Sequence, residues 1–138
     1  MRSRRSPTSV LVADASVLAP AVVDADGDGA RIRQRFRGET IAGPDLLRLE
    51  VVSVLRRQVR TGSLTDAEAG AAIAALLDLP LVVFPTAPLL IRAWELRHNL
   101  SSYDACYVAL AEAIGCPLLT ADQRLAAAPG PRCPIEVV

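Results

Sequence analysis

The chain has 138 residues, 51% of them hydrophobic, and no net charge, which supplies apolar material for one core and excludes a disordered polar chain. No apolar run approaches the ~20 residues that span a bilayer, and the basic start leads into a run too short for a signal peptide, so a cytoplasmic protein without a membrane partner is expected. All fifteen basic residues are arginines, which removes lysine chemistry; three cysteines without a C-x-x-C pair and one histidine leave carboxylate oxygen as the plentiful metal donor, pointing to magnesium or manganese.

In chain order, the first strand is expected at 10–13, within VLVADASVL, where the apolar residues stop on Asp14. The stretch DADGDG at 24–29 matches the opening of an EF-hand loop, yet the twelfth position, where a bidentate glutamate belongs, is Arg35. It reads as an exposed turn opening an arginine-containing helix. A second strand is expected at 40–42, followed by a helix in PDLLRLEVVSVLRRQVRTG with Asp45 as its N-cap and Gly62 as its end. Thr65 and Glu68 form a capping box that opens the next helix, which Pro80 stops. A third strand at 81–84 precedes a helical pattern at 87–99. SSYDACYVALAEAIG is another helix, closed by Gly115, and strands at 118–120 and 135–138 complete the order.

Strands separated by helices imply right-handed crossovers and a parallel sheet covered on both faces. The expectation is one α/β domain over residues 1–138, a three-layer doubly wound sheet of about five strands, with residues 1–8 a flexible basic terminus. Every strand of such a sheet ends on the same edge. Asp14 follows the first strand and Asp122 the fourth. Asp104 lies in the first turn of the helix leading into the fourth, and Glu50 about one and a half turns into the helix after the second.

Taken singly, each acid has an ordinary explanation, since aspartate is common after strands and acids are favoured in the first turn of a helix. Glu50 shares a stripe with Ser53 and Arg57 that reads equally as a solvated face. Together, however, crowded carboxylates raise one another's pKa unless a cation neutralises them. A divalent ion held by oxygen ligands with waters in place resolves the crowding and offers a water for attack on a phosphodiester.

The segments VLVADASVL, PDLLRLEVVSVLRR and SSYDACYVALAEAIGCPLLTADQRL resemble the PIN-domain ribonucleases, and among them the VapC-like toxins of type II toxin–antitoxin pairs. The resemblance covers nearly the whole chain. It implies that Asp14, Glu50, Asp104 and Asp122 are the catalytic and metal-site carboxylates, with Ser16 and Thr120 supporting them through hydroxyl contacts. It further implies a metal-dependent endoribonuclease using Mg²⁺ or Mn²⁺, an RNA substrate, a cognate VapB-like antitoxin and a homodimer. Arg57, two turns beyond Glu50, and Arg124, two residues after Asp122, are the candidate phosphate contacts, although solvated surface charge explains them too.

Two rivals remain open. A PIN-like domain could bind RNA or a partner without cutting it. A dehalogenase-like magnesium-dependent phosphatase also places an aspartate after its first strand, but needs a second two positions on, where Ser16 stands.

Overall fold

The structure, a computed structural model, describes residues 9–23 and 27–138. The expectations for residues 1–8 and for the first half of the turn at 24–29 lie outside the described residues; of the rest, Gly27 is the cap position and Asp28 and Gly29 already belong to the helix that follows. Strands β1 (Ser9–Ala13), β2 (Glu39–Pro44), β3 (Val82–Phe84), β4 (Leu118–Thr120) and β5 (Ile135–Val137) form one parallel sheet in the order β3-β2-β1-β4-β5. The central strand β1 buries Leu11, Val12 and Ala13 completely, as a strand covered on both faces must. From β1 the chain winds outward through β2 to β3, then crosses back to β4 and β5, so its direction of winding reverses between β1 and β4. The crevice beyond the carboxyl ends of those two strands is where an open α/β sheet binds its ligands.

Helices α1 (Ala15–Val23), α2 (Asp28–Phe36), α3 (Leu47–Arg60) and α4 (Asp66–Asp78) form a packed group, with α1 touching the other three. A 3-10 turn at Ala87–Leu89 leads into α5 (Leu90–Glu95), which packs on α6 (Ser102–Ile114); α6 in turn lies against β1, β2 and β4. A short α7 (Gln123–Ala127) covers β4 and β5. This is the three-layer doubly wound α/β architecture that the alternation of elements implied. No described helix is long and apolar enough to cross a membrane. All three cysteines are free, with Cys106 and Cys116 buried and Cys133 half-buried.

The capping box at Thr65 and Glu68 is formed in both directions, and Gly115 closes α6 at φ 80°, a left-handed position that glycine adopts without steric cost. Other expectations need correction. Asp45 does not cap α3: the strand runs on through Pro44, the cap position falls to Leu46, and no side chain accepts there. Asp45 instead donates its backbone N–H to the Phe84 carbonyl at 2.8 Å, joining the ends of β2 and β3. Helices α1 and α7 were not foreseen. Apart from Ser16, the sequence ASVLAPAVV of α1 is apolar all round because most of the helix is packed among its neighbours, so it lacks the one-sided periodicity that reveals a surface helix. At five residues, α7 is too short to show a period at all.

Candidate active site

Asp14 is the first residue after β1, and with Thr120 it is one of two buried polar side chains among the described residues. Three hydrogen bonds hold its carboxylate. The backbone N–H and hydroxyl of Ser16 donate to Oδ1 at 3.0 and 2.5 Å, and the Thr120 hydroxyl donates to Oδ2 at 2.6 Å. Thr120 arrives there because β4 pairs with β1, Ala13 lying opposite Leu119. The same hydroxyls also accept: Ser16 Oγ from the N–H of Ala121 at 2.9 Å, and Thr120 Oγ1 from the N–H of Asp122 at 3.1 Å. Two hydroxyls therefore tie the end of β1 to the turn that carries Asp122.

Asp104 is placed by the start of α6. Ser101 caps that helix by accepting the Asp104 N–H at 3.1 Å, and Ala105 through Ala111 are all buried, so the helix fixes its first turn firmly against the sheet. Glu50 lies in the first turn of α3, nearer the helix start than one and a half turns. Gly43 helps to set that start, because a Cβ there would collide with the Leu47 side chain. Nor does Glu50 stand on a freely solvated face, since the buried Tyr107 donates its hydroxyl to Glu50 Oε1 at 2.5 Å. Asp122 caps α7 by accepting the Arg124 N–H at 2.9 Å.

These four side chains form one electrostatic unit centred on Asp104. Burial pushes the Asp14, Glu50 and Asp104 carboxyls above the usual carboxylate range. The charge of Asp104 adds to the rise at both Asp14 and Glu50, Asp14 adds to that at Glu50, and Asp122 to that at Asp104. The Ser16 and Thr120 bonds pull Asp14 the other way, as Tyr107 does for Glu50, without cancelling the burial. Among the described residues, no arginine offsets the crowding at Asp14, Glu50 or Asp104, and Asp122 has one nearby, with Arg124 Nε at 3.8 Å on an almost wholly solvated side chain.

Acids that are part-buried, mutually repelling and without a protein cation have the donor chemistry that suits a hard divalent ion. Among the described residues, no three His, Cys, Asp or Glu side chains close on a single point as a ready-made cage. Asp14 is the acid held by the most hydrogen bonds, three, while Tyr107 holds one oxygen of Glu50 and the Arg124 N–H one of Asp122.

Arg57 is exposed and shares a groove of about 280 Å³ with Glu50, Ser53 and Tyr103. Arg124 is almost wholly solvated beside Asp122. Tyr107 was missed by the sequence reading, although the signal was present: it follows Asp104 by three residues, which places the two on one face of α6. Ser16, where a dehalogenase-like phosphatase would carry its second aspartate, is instead committed to holding the first.

A model of the PIN domain matches residues 11–131. Ribonuclease VapC1 of Mycobacterium tuberculosis is 46% identical over 125 residues, 87% of this chain and 94% of that protein. Among solved structures, PAE2754 from Pyrobaculum aerophilum superimposes with a TM-score of 0.69 at 25% identity, over 94% of this chain and 85% of that one. VapBC2 from Rickettsia felis, bound to a DNA fragment from its promoter, gives 0.65 at 14% identity, over 92% and 97% respectively. The chain belongs to the PIN-domain family, in its VapC ribonuclease branch.

Proposed function

We propose that this protein is a metal-dependent endoribonuclease of the cytoplasm, the toxin of a type II toxin–antitoxin pair, which hydrolyses RNA phosphodiester bonds. The observation that carries the reading is the gathering of Asp14, Glu50, Asp104 and Asp122 at the switch point of the sheet, the first three buried or half-buried and, among the described residues, without an arginine partner. Asp14 and Asp104 would be the principal ligands of Mg²⁺ or Mn²⁺, with Glu50 and Asp122 completing the acidic pocket. Such an ion, when bound, supplies Lewis acidity and a water of lowered pKa. Ser16 and Thr120 keep both oxygens of Asp14 oriented. Tyr107 occupies Glu50 Oε1 and leaves Oε2 available to accept a proton. Arg57 and Arg124 flank the acids as contacts for the phosphates of the RNA.

A VapB-like antitoxin is the proposed partner, an assignment supported by family membership and by the neighbour solved as VapBC2. A homodimer is the proposed assembly. The second reading, a PIN-like domain that binds RNA or a partner without cutting, is favoured by one observation: among the described residues, no three acids close on a single point. The two readings part in a cleavage assay on total cellular RNA with Mg²⁺, Mn²⁺ or EDTA, alongside a phosphomonoester. Cleavage that needs the metal, with the phosphomonoester untouched, supports the nuclease; intact RNA under every condition leaves the binding module.

A further inference from the structure

The chain is poor in aromatic residues, with one Trp, two Tyr and two Phe. Tyr107 is buried, and Phe36 and Phe84 pack against the core. The two exposed aromatics, Trp94 at 67% and Tyr103 at 60%, line one groove of about 540 Å³ between α5 and the start of α6. Arg97 also lines it, with its guanidinium 4.4 Å from the centre of the Trp94 ring. Tyr103 immediately precedes Asp104, and it also lines the groove that holds Glu50 and Arg57. Tyr103 is shared by the two grooves, so one surface runs from Arg57 past Glu50 to Tyr103, Trp94 and Arg97.

We propose that Tyr103 and Trp94 form a stacking platform for an unpaired base of the RNA next to the bond being cut, with Arg57 meeting a phosphate beside it and Arg97 backing the Trp94 ring. The proposal rests on the nuclease reading and adds how the substrate is held. Single-stranded RNA is gripped where flat aromatic faces accept splayed bases and arginines follow the backbone, and both are present in continuity with the acidic site. Exposing two aromatic rings to water brings a folded chain no stability, since stability comes from removing apolar surface from water. The Arg97 guanidinium covers one face of the Trp94 ring and donates to the Trp94 carbonyl at 2.9 Å, which holds the ring in place while most of its surface stays exposed. Such a platform selects for unpaired rather than double-stranded substrate, because a base within a helix cannot present its face to the rings.

Trp94 is the only tryptophan, so its fluorescence reports from the platform alone. The full-length protein is titrated in EDTA with a mixed-sequence RNA dodecamer, single-stranded or annealed to its complement. The single strand is expected to quench Trp94 strongly and the duplex weakly. Trp94→Ala and Tyr103→Ala should each weaken binding of the single strand about tenfold, measured by anisotropy of a labelled dodecamer, and Trp94→Phe and Tyr103→Phe should restore most of it. In Mg²⁺, the two alanine variants should cut single-stranded RNA with a raised KM. If wild type cuts RNA while its tryptophan is unaffected and the alanine variants bind and cut like wild type, the platform is overturned and the nuclease reading stands. If wild type cuts nothing but the dodecamer still quenches Trp94, the platform stands without the nuclease. If the alanine substitutions alter only self-association, seen by sedimentation with RNA affinity unchanged, the surface belongs to a second copy and the proposal is overturned.

Discussion

Two sets of carboxylates in this molecule are treated in opposite ways. Glu112, partly buried, accepts two bonds from Arg92 at 2.7 and 3.1 Å and the N–H of Arg132 at 2.7 Å; burial alone would raise its pKa, but the arginine and the backbone bond hold it below the usual range. Glu136 is held low by its bonds to Arg35, which also reaches Glu39. Asp14, Glu50 and Asp104 are buried to a similar or greater degree, yet receive hydroxyls and one another instead of arginine, and all three are pushed up. In a chain with fifteen basic residues, arginine is not scarce. Acids that hold the fold together are paired with arginine, and Asp14, Glu50 and Asp104 are not among those pairs.

The largest way to break this contrast is to orphan a paired acid. Arg92→Ala removes both bonds to Glu112, the contact with Glu95 and the bond to the Gly130 carbonyl. It should cost about 2–4 kcal/mol, read as a fall in the denaturation midpoint, while cleavage per folded molecule survives. Arg35→Ala, at a more solvated site, should cost about 1 kcal/mol in the same measurement.

Next in size is the response to metal. If the edge acids take their cation from solution, Mg²⁺ or Mn²⁺ at about a hundred times its dissociation constant should stabilise the protein by about 2.7 kcal/mol. Asp104→Asn should lose most of that gain, because Asp104 is the member of the group that couples to the other three. A wild-type melting curve that does not move across a metal titration would remove the carboxylate site altogether.

Smaller, but of opposite sign for the two sets, is the pH dependence without metal. Carboxyls raised in the folded state hold more protons there than in the unfolded chain over the window above the ordinary carboxylate range, so their contribution to stability falls as pH rises through it. Glu112 and Glu136, held low, contribute stability that is lost as pH falls towards their folded values. Asp104→Asn should therefore raise metal-free stability by up to about 1 kcal/mol at pH 8 and leave it unchanged at pH 4, checked by urea denaturation at both. The smallest effect is expected from the solvated arginines: Arg57→Ala and Arg124→Ala should each weaken RNA binding modestly and reduce its salt slope by about 1, with metal binding intact.

The contrast itself was only half legible in the sequence. The order of strands and helices was readable because parallel strands are short apolar runs and the amphipathic helices show their period and caps, as at Thr65 and Glu68. The acids were readable because a doubly wound sheet brings every strand end to one edge, which puts Asp14 and Asp122 together. What could not be read is pairing across distance. Nothing local links Arg92 to Glu112 or Arg35 to Glu136, so structural and site carboxylates looked alike in the sequence. Tyr107 passed as a core residue because its ring is one; only the fold reveals that its hydroxyl ends on Glu50. Helix α1 stayed hidden for the reverse reason, being apolar all round apart from Ser16.

The most direct measurement compares one acid from each set in a single assay. Wild type, Asp104→Asn and Glu136→Gln are incubated with total cellular RNA in Mg²⁺ and in EDTA, with the unfolding midpoint of each recorded. Asp104→Asn is predicted to be folded and without cleavage, Glu136→Gln to be less stable yet active, and EDTA to silence every protein. An Asp104→Asn variant that cuts like wild type, or cleavage that survives EDTA, would contradict the claim that the unpaired acids carry the chemistry.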